Sequence, residues 1–249
     1  MDDVLTVLVA GLAGAGAAAA LGWGLRRRKT EPEDVTLGFL GPSLAALYLL
    51  VLVLALAAEW GTIGDAHQGA TTETSALHQL YWSAQGLPAG PANTLREEVR
   101  DYASAVVNHD WPQMRDATLD DKTEDMLGEM KATVLNVNPP DAAASAAQTD
   151  ALNQIGTLAA TRAQREDDAI TRLPSGMLAG VIATSAVVAL FPFAVGIRPV
   201  LPSIILASMQ AALVVIGVVV VFQLDHPYSG PLAVQPDSMT SLIQQIGTP

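Results

Sequence analysis

Residues 200–224 read VLPSIILASMQAALVVIGVVVVFQL, 25 positions without a charged side chain. A helix that crosses a hydrocarbon core of roughly 30 Å needs about 20 mostly apolar residues, so this stretch is long enough to span a bilayer. Working outward, residues 4–25, 35–58 and 173–197 meet the same criterion, and none has a charge inside. A polar segment, 59–172, separates the second stretch from the third, and a tail, 225–249, follows the fourth. The predicted fold class is all-α: an integral membrane protein with four transmembrane helices and an extramembrane helical domain between the second and third.

Composition agrees with that reading. Half of the 249 residues are apolar, 15% are charged, and cysteine is absent. This excludes intrinsic disorder, a disulfide-stapled domain, thiol catalysis and cysteine-ligated metal. The first span is not read as a cleavable signal, because Arg26, Arg27, Arg28 and Lys29 follow the apolar run instead of preceding it. The basic end of a span stays on the cytoplasmic side. The N-terminus, the large segment and the tail are therefore expected on the exported face of the plasma membrane. The two short inside loops then hold five of the thirteen Lys and Arg residues, while 59–172 has 18 acidic and 8 basic residues.

Within 59–172 the periodicity is helical. Ala76, Leu77, Leu80, Tyr81 and Ala84 share one face of a predicted helix over 71–85. A second is predicted over 93–109 on Leu95, Val99, Tyr102 and Val106, ended by Trp111-Pro112, since proline restricts the residue before it. A third covers 118–134 with Met126, Leu127, Met130 and Val134 on its stripe. From Asp141 one long helix is expected to feed almost directly into the third span, bent at Pro174.

The order of these pieces resembles a bacterial domain family of unknown function labelled bestrophin-like. The resemblance rests on Asp34-Val-Thr-Leu-Gly-Phe39, Leu47-Tyr48, Trp60, Leu77-His-Gln-Leu-Tyr81 and Leu95-Arg-Glu-Glu-Val-Arg-Asp-Tyr102. It continues through Asp110-Trp-Pro-Gln-Met114, Arg162, Arg165, Leu173-Pro174 and Leu224-Asp-His-Pro-Tyr-Ser-Gly230, then Val234 and Pro236. The family often has Glu at the Asp110 position and Phe at the Tyr228 position. Bestrophins are oligomeric anion channels with four membrane helices per subunit. The resemblance therefore implies a homo-oligomer that passes ions, with anions favoured by the label.

Several constellations are candidates for that work. On the fourth span Ser203, Ala207, Gln210 and Gly217 fall on one helix face, and Thr184 and Ser185 of the third span can join it. Such a face lines a polar path or forms a close-packing seam, and the seam is the better reading. Asp225 and His226 at the end of the fourth span mark either a gate or an interfacial helix stop. Phe191 and Phe193 flank Pro192 and either narrow a path or anchor the helix. Arg162, Arg165 and Arg172 form a basic stripe that would gather anions at a pore mouth. The competing reading pairs Arg162 with Glu166, Arg165 with Asp168, and Asp168 with Arg172 along the helix.

His67, His78, His109 and His226 have no zinc-site spacing, and no metal or cofactor is implied. The chain lacks GxGxxG, a phosphate-loop lysine and GxSxG, so it does not read as an enzyme. The expected partners are the lipid bilayer, ions and further copies of the chain; a nucleic-acid partner is not expected. The alternative is a non-conducting membrane protein whose helical domain binds a partner or scaffolds a complex.

Overall fold

The computed structural model of the protein describes residues 34–115, 118, 121–194, 200–230 and 233–247, with the side chains of 34–40, 193 and 194 outside that set. The predicted first span, 4–25, and the turn at Arg198-Pro199 lie outside the described residues. Among the described residues every regular element is helical. They are α1 (Asp34–Ser83), a 3-10 turn (Ala84–Gly86), α2 (Ala89–Ala105), a π turn (Val106–Asp110), α3 (Trp111–Met114), α4 (Lys122–Leu135), α5 (Ala142–Ile170), α6 (Ser175–Ala194), α7 (Leu201–Leu224) and α8 (Asp237–Gly247).

The chain divides into two compact units, one of residues 1–61 and 172–225, the other of 62–171 and 226–249. In the first unit α6, α7 and the first half of α1 pack through two apolar clusters. One gathers Ala55, Leu173, Val181 and Val221; the other gathers Tyr48, Val188 and Val214. Their outward faces are also apolar: Val53, Leu206 and Leu213 are 59%, 66% and 67% exposed. Water would not tolerate so broad an apolar surface, whereas lipid does. Three helices in the described residues are long and apolar enough to cross a membrane.

The second unit has its own core, built from stripes that the sequence periodicity marks. Leu77 and Leu80 of α1, Leu95, Val99 and Tyr102 of α2, Met130 and Val134 of α4 and Leu158 of α5 are all closed to solvent. The C-terminal tail belongs to this unit, since α8 inserts Met239, Leu242 and Ile246 into the same core.

Three of the differences from the expected element boundaries have a local reason. The helix that holds the second span does not stop near residue 58, because isolated glycines at 61, 64 and 69 lower helix propensity without breaking it, and α1 runs on to Ser83. Trp111-Pro112 does not stop the second helix either. The Trp111 N–H reaches back five residues to the Val106 carbonyl, and this widened turn admits the proline ring without ending the coil. At Pro174 the chain breaks instead of bending. α5 stops at Ile170, Thr171 is extended, and the Pro174 carbonyl starts α6 by accepting from Met177 at 2.8 Å. The start of α5 is capped by Asp141, whose carboxylate accepts from the Ala144 N–H at 2.8 Å.

Candidate functional site

In the membrane unit the small and polar residues of α7 meet neighbouring helices. Gln210 donates from Nε2 to the Val188 carbonyl of α6 at 3.0 Å. The Tyr48 hydroxyl of α1 donates to the Val214 carbonyl at 3.3 Å. Gly217 makes room for that tyrosine, since a Cβ there would stand 2.5 Å from the Tyr48 hydroxyl and 3.2 Å from Leu52. Ala207 is buried and Ser203 half-buried. Thr184 turns its hydroxyl back to the Gly180 carbonyl of its own helix at 2.7 Å, and Ser185 is buried. Phe191 is half-buried beside Gly41; the Phe193 side chain lies outside the described residues.

At the end of the spans Asp225 has a definite structural task. Its Oδ1 accepts from the Leu173 N–H at 2.6 Å, satisfying a backbone donor that Pro174 keeps out of any helix. Glu59, only 3% exposed, lies within the electrostatic reach of both Asp225 and Arg172. Arg172 itself is exposed. His226 follows as the first residue of the second unit's tail segment and is half-buried.

Arg162 and Arg165 are deep inside the second unit. Arg165, 2% exposed, sets Nη1 3.2 Å from Glu73 Oε2 and Nη2 2.9 Å from Asp110 Oδ2, and both carboxylates are fully enclosed. Its guanidinium also stacks on the Trp111 ring at 5.4 Å. The other oxygen of Glu73 accepts from the Tyr102 hydroxyl at 2.8 Å. Asp110 further accepts from Thr123 at 2.9 Å, and Thr123 in turn accepts from Arg162 Nε at 3.0 Å. Arg162 reaches Glu124 and Glu166 at 3.6 and 3.7 Å. Trp111 donates from Nε1 to the Val234 carbonyl at 3.0 Å and meets Tyr228 edge-on, which fastens the tail to the network.

The pairing expected along α5 therefore holds for Arg162 with Glu166, whereas Arg165 reaches across the unit to α1 and the π turn instead of to Asp168. Asp168, 7% exposed, is held by the Gln164 amide at 2.8 Å. Burial pushes its carboxyl above the ordinary range, the Gln164 hydrogen bond opposes this, and the charges of Asp167 and Asp65 add to it. Burial, reinforced by the Glu73 charge, holds the Tyr102 phenol far above its usual value, so it stays a donor. An arginine whose charge is matched by two enclosed carboxylates offers nothing to a solvent anion. The network is a structural lock; the sequence does not mark Glu73 and Thr123 as members, and it marks Tyr102 only as part of a helix stripe and a family motif.

The histidines stay apart: His67, His78 and His109 are exposed, and His78 accepts at Nε2 from the Trp82 indole at 2.9 Å. Among the described residues no three His, Cys, Asp or Glu side chains gather as a metal site. A polar groove of about 290 Å³ lies in the second unit, lined by Thr74, His78, Gln79, Ser238 and Gln245 with Leu242.

An all-helical membrane protein with a separately cored helical unit is the class these features define. The Bestrophin-like domain family matches residues 7–239, and the chain belongs to that family. No curated protein matches the chain. The fold is that of a bacterial bestrophin homologue from Klebsiella pneumoniae. Its crystal structure aligns with a TM-score of 0.68 at 14% identity, over 98% of this chain and 96% of that one. A single-substitution variant of that homologue aligns at 0.70 with 13% identity, over 98% and 99%. A structure described as a membrane protein variant aligns at 0.69 with 13% identity, over 99% and 97%.

Proposed function

We propose that the chain is one subunit of a membrane channel that passes small ions, anions foremost, down their gradient. The observation that carries this reading is the family match over residues 7–239 on helices without an ionisable group inside their spans. Pumps and coupled transporters place such groups at mid-membrane, so passive flow is the better fit. The solved relatives are bestrophin homologues, which supports anions as the permeant class.

The same geometry supports assembly. Gln210, Gly217 and Thr184 spend their polar or small character on contacts inside the chain. A single copy thus offers no polar-lined path among its described helices, and conduction needs several copies around a shared axis. In this reading Asp225, Arg172 and His226 stand at the mouth, and Ser203, Ala207, Ser185 and Phe191 belong to the walls that hold it. Purified protein in planar bilayers tests the proposal. Unitary currents whose reversal potential follows the chloride gradient are expected, and silence in every salt and voltage overturns it.

A second reading has one observation in its favour. Because the α7 stripe packs inside the chain, the helical unit can serve as a membrane-held binding module that conducts nothing. Silent bilayers together with a monomeric mass in detergent would select it.

A further inference from the structure

We infer that Arg96 and Arg100 form a binding site for a small oxyanion of the phosphate class. The two lie one turn apart on the same face of α2, in the second unit. Like charges at that spacing repel and weaken a helix, so the arrangement calls for a compensating anion. The described residues do not supply one. Although 59–172 holds 18 acidic residues, no carboxylate among the described residues comes within ion-pairing distance of either guanidinium.

Neutral groups hold the pair in place instead. Both guanidiniums stack on the Tyr81 ring, at 5.4 Å for Arg96 and 5.3 Å for Arg100. Arg100 donates from Nη2 to the Tyr81 hydroxyl at 2.8 Å and from Nε to the Ile246 carbonyl of α8 at 2.9 Å. Arg96 Nε reaches the Tyr81 carbonyl at 3.5 Å. Both side chains are half-buried. These contacts fix the stems and use up the Nε donors. They leave both terminal amino groups of Arg96 and Nη1 of Arg100 with no protein acceptor among the described residues. The open end of the Arg96 fork and the adjacent Nη1 of Arg100 suit an anion with several oxygens, since paired N–H groups bind phosphate or carboxylate oxygens bidentately. The site is chemically distinct from the buried network, where Arg165 already has its two carboxylates.

The test is titration of the full-length protein in detergent with inorganic phosphate, at constant ionic strength with chloride as the balancing ion, followed by calorimetry. Saturable binding is expected. It should weaken about tenfold or more in R96Q and in R100Q, the loss typical of one charged hydrogen-bonding group. The double R96K/R100K variant keeps both charges and the fold but lacks the forks, and an intermediate loss is expected. If the wild type shows no saturable phosphate binding, or the R96Q/R100Q double variant binds as tightly, the site does not exist. A parallel titration with glycerol phosphate separates the sources: tighter binding assigns a phosphorylated metabolite, weaker binding the free ion, and both sustain the inference. None of these readouts depends on conductance, so a silent bilayer leaves this inference standing.

Discussion

Arg165 Nη2 stands 2.9 Å from Asp110 Oδ2 inside a unit where neither side chain reaches solvent. Glu73 closes the other side of the guanidinium at 3.2 Å. Removing one partner of such a pair leaves charge buried without its match, which costs about 3–5 kcal/mol. R165A is therefore expected to lower stability by about that amount, with R165K intermediate because it retains charge but not the fork. Denaturant unfolding in detergent, followed by circular dichroism, measures it. A loss under about 1 kcal/mol, the range of an exposed pair, would mean that the enclosure is not maintained in solution.

Much of the second unit is legible in its periodicities, and the lock is half legible in the same places. Ala66, Ala70, Glu73, Leu77 and Leu80 follow one another at spacings of four and three, all buried. A carboxylate at the centre of an apolar stripe is a signal that a cation must meet it. Ala151, Ile155, Leu158, Arg162, Arg165 and Ala169 repeat the pattern on α5, so the two arginines occupy core positions, not an outer stripe. Periodicity gives the face of each helix but not which faces meet, because Glu73 and Arg165 are 92 positions apart. The π turn was also beyond reach, since it reflects how a helix accommodates Pro112 when packing on both sides of it favours continuation. The tail was missed for a similar reason: α8 is short, and its apolar side shows its purpose only once a core exists to receive it.

Gly217 and Tyr48 decide whether the α7 stripe packs or lines a path. A Cβ at Gly217 would stand 2.5 Å from the tyrosine hydroxyl, closer than side chains sit. G217A should therefore destabilise the membrane unit by about 1–3 kcal/mol, the range for overpacking. Y48F in the same background removes the obstructing oxygen and should recover most of the loss. Thermal unfolding of the four proteins forms the cycle. Additive effects, with no recovery, would show that the two residues are not in contact.

Asp168 gives the stability a pH dependence of known sign. Its folded-state pKa is raised, first by burial and then by the charges of Asp167 and Asp65. A raised carboxyl takes up a proton on folding, so its contribution is fully present below the unfolded value of about 4 and is lost as pH rises through the folded value. D168N has no proton to lose. Unfolding free energy measured from acid toward neutral pH should fall less steeply in D168N than in the parent. Equal slopes would mean that this carboxyl is solvated in the folded protein.

The absence of cysteine makes the orientation of the chain directly measurable. Short basic loops stay inside, and the run Arg26, Arg27, Arg28 and Lys29 is the strongest such signal in the sequence. A single thiol placed by N138C, at an exposed position between α4 and α5, should react with a membrane-impermeant maleimide in intact cells. A thiol placed by K29C should react only after lysis. The charge argument places both on opposite faces because one span, 35–58, separates them, so the labelling of one predicts the protection of the other. The reverse pattern would put the helical unit in the cytoplasm. Labelling of both in intact cells would mean that residues 35–58 do not cross the bilayer, and the four-span reading would then fail with the orientation.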